Sequence, residues 1–275
     1  MRVWVDGEVL DESDARVSVF DHGLTVGDGV FESAKVRGGV PFALTRHLAR
    51  LAVSAGGLGL DVPADGVLRR AVAETLAANA EQHGIALRLR ITLTGGTSPL
   101  GSDRGTSGPT LVVALAPMRA WPDSAKLVLV PWTRNERSAT AGLKTTSYAE
   151  NVVALAHAKA HGGSEAVFAN TAGHLCEGTG SNVFLVLDGE VVTPPLTSGC
   201  LAGVTRALLL EWSDAVERDL PVAALLDADE VFLTSSTRDV QAVHAIGDHV
   251  VEPGPVTARL AADFARRAAV DVDPY

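Results

Sequence analysis

Cysteine is nearly missing from this chain: Cys176 and Cys200 are the only two in 275 residues. Two are too few for a disulfide framework, and they lack the C-x-x-C spacing of a metal or redox centre. Two reduced, partly buried thiols are expected. Positive charge is also in deficit, 23 basic residues against 33 acidic ones for a net charge of −10. That balance repels a phosphate backbone and argues against nucleic acid as a partner. No apolar run approaches the roughly 18–20 residues that span a bilayer, so no membrane partner is expected. The opening Met1-Arg2-Val3-Trp4-Val5-Asp6-Gly7 has neither the apolar stretch nor the cleavage site of a signal peptide, and a cytoplasmic location is expected. Several catalytic signatures are absent as well. There is no G-x-S-x-G elbow, and Gly27-x-Gly29 continues to Glu32 where a dinucleotide loop needs a third glycine. His157 and His161 have helical i,i+4 spacing without the intervening glutamate of a metalloprotease, so no metal site is expected.

What is present reads as ordinary globular chain, with 47% hydrophobic and 20% charged residues, long enough for two domains. Residues 1–116 read as an α+β unit. A hairpin turns at Asp6-Gly7, with alternating Val17 and Val19 continuing it, and a second turns at Arg37-Gly38-Gly39. A helix carries Leu48, Leu51, Ala52 and Ala55 to a stop at Gly56-Gly57, a second helix spans 67–80, and strands fall at 87–93 and 111–115. Residues 117–123 hold two prolines between apolar runs and read as an interdomain connector. Residues 124–275 alternate strands and helices as a C-terminal α/β domain, with helices near 148–161, 203–213 and 255–269.

Lysine offers few candidates: Lys35, Lys126, Lys144 and Lys159 are the whole supply. Lys35 sits in a hairpin strand, Lys126 heads a strand, and Lys159 ends a helix where a cation suits the dipole. Lys144 lies instead in Gly142-Leu143-Lys144-Thr145-Thr146-Ser147-Tyr148, between an irregular stretch and a helix, where a side chain can project into a cleft. Two further clusters stand out. Cys176-Glu177-Gly178-Thr179-Gly180-Ser181-Asn182 puts an acid before a glycine-rich turn. Ser198-Gly199-Cys200-Leu201-Ala202-Gly203-Val204-Thr205-Arg206 opens a helix, whose free N–H groups suit a phosphate. A lysine, an acid and a phosphate-binding helix end are the parts of a pyridoxal phosphate site.

These segments, in this order, resemble the class IV (fold-type IV) pyridoxal-phosphate aminotransferases over nearly the whole chain. Gly27-Asp28-Gly29-Val30-Phe31-Glu32, His47-Leu48-Ala49-Arg50-Leu51, Lys144, the run 177–184, Leu201 to Arg206 and Val231 to Thr237 each match a family motif. The resemblance implies a two-domain fold of α+β and α/β parts, with the active site between the domains and Lys144 in the C-terminal one. It implies a homodimer whose partner contributes loops, and pyridoxal 5'-phosphate held by Lys144 as a Schiff base. Glu177 then pairs with the pyridine nitrogen, Arg50 binds the cofactor phosphate together with Val204, Thr205 and Ser236, Leu201 packs on the ring, and Tyr148 reaches the phenolic oxygen. The implied reaction is ping-pong exchange of an amino group between a small-molecule amino donor and a keto acid acceptor.

Within the family, the core Gly96-Thr97-Ser98-Pro99 resembles the D-amino acid transaminases. Leu100 and Ser102 stand where those enzymes carry an arginine and a histidine for the substrate carboxylate, and Phe31 replaces their tyrosine. Arg104, Arg88 or Arg90 can substitute. A D-amino acid transaminase is expected first, aminodeoxychorismate lyase (4-aminobenzoate and pyruvate) second, and a branched-chain L-amino acid transaminase third.

Overall fold

A computed structural model describes all 275 residues, which divide into two units. The first comprises Met1–Arg119, Leu143–Tyr148 and Asp271–Tyr275; the second comprises Ala120–Gly142 and Ala149–Val270. In the first, β1 (Arg2–Val5), β2 (Glu8–Asp11), the short α1 (His22–Thr25), β3 (Gly29–Arg37), β4 (Val40–Pro41), α2 (Leu44–Leu58), α3 (Asp65–Ala77), β5 (Leu87–Thr94) and β6 (Thr110–Pro117) follow one another. The strands pair antiparallel in the order β2-β1-β6-β5-β3-β4. One face is buried: Leu87, Leu89, Ile91 and Leu93 of β5 alternate into a core shared with Leu48 and Leu51 of α2 and with Leu68 and Val72 of α3. This is the period-two and period-3.6 patterning of helices on one sheet face.

The second unit contains β7 (Ser124–Arg134), α4 (Ala149–Ala160), β8 (Glu165–Asn170), β9 (Leu175–Gly178), β10 (Asn182–Leu187), β11 (Glu190–Thr193), α5 (Val204–Trp212), β12 (Val216–Glu217), α6 (Ala224–Asp227), β13 (Glu230–Ser235), β14 (Asp239–Ile246), β15 (His249–Val250) and α7 (Pro255–Val270). Its sheet runs β12-β11-β10-β13-β14-β7-β8-β9, with β15 beside β14. The β14–β7, β7–β8 and β11–β12 pairs are parallel and the rest antiparallel. Strand β10 reads Asn-Val-Phe-Leu-Val-Leu and is buried through Val186, as a strand covered on both faces requires. No helix is long and apolar enough to cross a membrane.

Four expectations need correcting. Lys144 belongs to the first unit, because residues 143–148 bond to β3 across more than a hundred positions of sequence. The C-terminal residues 271–275 also return to the first unit: Ala43 N–H donates to Val272 O, and Asp273 accepts from Thr45 N–H at the start of α2. Val17 and Val19 join no strand and are exposed. Helix α2 does not stop at Gly56-Gly57 but runs to Leu58, closed by Gly59 in the left-handed region at φ +67°.

Candidate active site

In the first unit the lysine segment is held by its backbone. Phe31 N–H donates to Lys144 O (3.0 Å), Thr146 N–H to Gly29 O (2.7 Å), and Lys144 N–H to Ser54 Oγ of α2 (3.1 Å). A Cβ on Gly29 would lie 2.9 Å from Leu93 O, so only glycine lets the strands approach this closely. The Lys144 ammonium lies 4.3 Å from the Phe31 ring centroid and 5.8 Å from that of Tyr148. The two rings meet edge to face at 5.2 Å. Arg90 lies over the same Phe31 ring, its Cζ 3.3 Å from the centroid.

Arg90 is half-buried and makes one side-chain hydrogen bond, from Nε to Thr92 Oγ1 (3.2 Å). No carboxylate pairs with it, and burial pulls its pKa down to about 10. A desolvated cation without a counter-charge is costly unless a ligand supplies one. The first unit therefore puts a primary amine and an unpaired guanidinium on one aromatic ring.

Helix α2 supplies the wall behind them. His47, Arg50 and Ser54 fall at i, i+3 and i+7, on one helix face. Glu32 of β3 accepts from Arg50 Nε (2.8 Å) and Nη2 (2.7 Å) and from His47 Nδ1 (2.6 Å). Burial alone raises the Glu32 pKa, but Arg50 and then His47 outweigh it and hold the carboxyl far below its usual 4.5. For His47 burial is the larger influence and exceeds the pull of Glu32, so its pKa is lowered from 6.5. Both depressions act in the same direction on stability. His47 binds a proton in the unfolded chain before the folded one, so stability is lost as pH falls below about 6.5. Glu32 adds a second loss below about 4.5. We expect the melting temperature of the wild type to fall between about pH 7.5 and about pH 5, and that of His47→Gln to fall less. Parallel pH profiles for the two would contradict this assignment.

The loop after β5 does not offer its basic residue to a ligand. Arg104 forks onto Asp28 (Nε–Oδ2 2.7 Å, Nη2–Oδ1 2.7 Å) and caps the end of α2 through Leu58 O and Gly59 O. The hydrogen bond to Asp28 raises its pKa, and the Asp28 carboxyl is correspondingly lowered. Arg104 thus latches the loop to Asp28 and to the end of α2. Leu100, 73% exposed, and Ser102 lie in the same exposed loop. Arg88 is exposed, and Phe31 is buried in the ring cluster.

In the second unit Glu177 is the penultimate residue of β9, ahead of the glycine turn. Its Oε2 accepts from Leu201 N–H (2.9 Å), and its Oε1 lies 3.5 Å from Arg134 Nε. Arg134, which the sequence reading missed, stacks on Phe168 at 4.3 Å and pairs with Glu150. Helix α5 starts at Val204 behind Gly203, with no side-chain cap. Its first amides at Val204, Thr205 and Arg206 have no acceptor within the helix, the chemistry that suits an anion. Gly203 is required here, since a Cβ would collide with Asn182 Oδ1, while Asn182 Nδ2 holds Leu201 O at 2.9 Å. Ser236 lies in the turn joining β13 to β14. Cys176 and Cys200 are buried, and burial pushes both thiols up, Cys200 to about 11, which leaves them unreactive at neutral pH. His157 and His161 stack at 4.2 Å, but no group of three or more metal-ligating side chains gathers anywhere in the chain.

The structure thus groups Lys144, Tyr148, Phe31 and Arg50 in the first unit, with Glu177, Leu201, Val204, Thr205 and Ser236 in the second. Residues 29–246 match the family model for amino-transferase class IV. The bifunctional aminodeoxychorismate lyase / D-amino acid transaminase of Mycobacterium tuberculosis is 29% identical, over 93% of this chain and 94% of its own. Among solved structures, the branched-chain aminotransferase of Thermoproteus uzoniensis with norvaline is similar with a TM-score of 0.90 at 29% identity, covering 97% of this chain and 94% of that one. A hypothetical aminotransferase of Mycobacterium tuberculosis in its PLP-bound form matches with a TM-score of 0.89 at 27% identity over all of both chains.

Proposed function

The chain belongs to the class IV aminotransferases, and from that premise we propose that it moves an amino group between an amino acid, D-amino acids favoured, and a 2-keto acid. The cofactor of the family is pyridoxal 5'-phosphate, which supplies an aldehyde that condenses with amines and a ring that draws electrons from the substrate α-carbon. The residues fit that group. The uncapped start of α5 suits a phosphate, and Glu177 has the acceptor chemistry to keep a pyridine nitrogen protonated. On this reading Arg50, Val204, Thr205 and Ser236 hold the phosphate, Leu201 packs against the ring and Tyr148 donates to the phenolic oxygen. Lys144 Nζ anchors the cofactor and then carries the proton off the substrate α-carbon.

One observation carries the choice of substrate class. Arg90 has no carboxylate in ion-pair contact, Glu32 acting on it only at longer range, and shares the Phe31 ring with Lys144, so a substrate carboxylate completes the pair beside the reacting amine. Amino and keto acids meet that demand; simple amines do not. A D-amino acid preference is supported by the Gly96-Thr97-Ser98-Pro99 core and by the D-amino acid transaminase named above. The same relative's double name keeps aminodeoxychorismate lyase as the second reading. Val17, Val19, Phe20, Leu24 and Val26 expose apolar surface along one segment of the first unit, which a second copy in a homodimer would cover.

The test is to load the purified protein with pyridoxal phosphate and follow visible absorption with D-alanine, L-leucine or aminodeoxychorismate, each with and without a keto acid. Bleaching by D-alanine and recovery on adding the keto acid is the expected result. A response confined to L-leucine would make it a branched-chain enzyme, and release of 4-aminobenzoate would make it the lyase. Light scattering on the same sample tests the homodimer, and a monomer with full activity would refute it.

A further inference from the structure

The second unit buries an ion pair that the proposed chemistry does not use. Glu165, the first residue of β8, and Arg238, in the turn between β13 and β14, are 1% and 5% exposed and meet at 2.6 Å. Each side of the pair governs a turn. Glu165 Oε1 accepts from Thr179 N–H (3.0 Å) and from the Thr179 hydroxyl, and Oε2 accepts from Ser181 Oγ (3.3 Å). Asn151 Nδ2 donates to Thr179 O at 2.6 Å. The turn that follows Glu177 is therefore fastened at both ends to one buried carboxylate.

Arg238 fastens the other turn. Its own N–H donates to Ser235 Oγ (3.2 Å), its Nη1 donates to Gln241 Oε1 (2.7 Å), and its guanidinium lies 3.8 Å from the Trp121 ring centroid. Ser236 sits inside this brace, between Ser235 and Arg238. Two turns that are 50 or more residues apart in sequence, and whose flanking strands β10 and β13 pair at Asn182 and Thr234, are thus also tied together by a buried charge pair. Removing either partner leaves the other buried charge without this ion pair, and the turns are then held together by the strand pairing alone.

We propose that Glu165 and Arg238 are positioning residues that set the carboxylate of Glu177 and the hydroxyl of Ser236 at a fixed spacing, so that ring nitrogen and phosphate of one cofactor are gripped together. The proposal rests on the cofactor roles given above for Glu177 and Ser236. It predicts coupling. A shift at one turn is transmitted to the other, and affinity for pyridoxal phosphate falls together with control over the protonation of its ring.

The experiment compares wild type, Glu165→Gln, Arg238→Met, the double variant and the milder Thr179→Ala. Apo proteins are titrated with pyridoxal phosphate by tryptophan fluorescence, and the visible band of each loaded protein is followed against pH. Each charge-pair single variant is expected to raise the Kd at least about tenfold and to move the pH midpoint of the band. The double variant is expected to do no worse than the poorer single, because no lone charge remains. Thr179→Ala leaves the ion pair intact, and a smaller change of about threefold is expected from it, which keeps a readout if a charge variant misfolds. Variants with lowered melting temperature but wild-type Kd and pH midpoint would reduce the pair to a stabilising role and overturn the proposal. A wild type that acquires no visible band would overturn the underlying cofactor reading, and the proposal with it.

Discussion

Turnover of Lys144→Ala is expected to fall by at least about a thousandfold, the scale on which proton transfer and covalent anchoring act. The fold should survive the change. The segment is held by its backbone, through Phe31 N–H on Lys144 O and Lys144 N–H on Ser54 Oγ, and none of these bonds involves the side chain. What the variant loses structurally is the ammonium packed 4.3 Å from the Phe31 centroid, a contact worth roughly 1 kcal/mol. Melting should move by only a few degrees on the scale of about 2–4 °C per kcal/mol for a chain of this size. The decisive measurement pairs steady-state turnover with a melt. Full turnover by the alanine variant would remove Lys144 from the chemistry, and a collapsed melt would show that the loss was one of folding. A small primary amine added to the alanine variant should restore part of the rate, since the proton carrier then returns without its tether.

The residues legible in the sequence were those whose types are scarce or whose signals are local. Lys144 stood out because three other lysines had structural explanations, and the start of α5 because glycine and a helix-forming run adjoin at Gly203. Glu177 was legible for the same local reason, as the acid that precedes a glycine turn. What could not be read depended on partners distant in the chain. Arg88, Arg90 and Arg104 are equivalent as residue types, and only the folded chain shows Arg104 spent on Asp28 at a separation of 76 residues. Strand β5 leaves Arg90 on the Phe31 ring instead. Gly57 looked like a helix stop, yet a Cβ there would lie 2.7 Å from Leu143 Cδ1, so its glycine reflects packing under the lysine segment. That segment joined the first unit through hydrogen bonds to β3, which no local pattern announces. The Glu165–Arg238 pair, across 73 positions, was invisible for the same reason.

Arg90→Ala carries the second large expectation, a loss in kcat/KM confined to substrates that bear a carboxylate. Truncating one partner of a desolvated charge pair costs about 2–5 kcal/mol, which is roughly 30- to 4000-fold. In the wild type the guanidinium is already in place on Phe31 with burial depressing its pKa to about 10, so it stays protonated through neutral pH and waits for an anion. Arg90→Lys keeps the charge but loses the planar guanidinium over the ring and its two-pronged geometry, and should recover only part of the activity. The control is Arg104→Ala, which frees Asp28 and unlatches the loop from the end of α2. Its penalty should appear in stability and fall equally on all substrates. Each variant is assayed with D-alanine and with a primary amine that lacks a carboxylate, and the ratio of the two kcat/KM values is compared with wild type. Arg90→Ala should collapse that ratio while Arg104→Ala leaves it alone. An unchanged ratio in Arg90→Ala would mean that the carboxylate is received elsewhere, and that the unpaired cation on Phe31 serves the protein in some way other than substrate recognition.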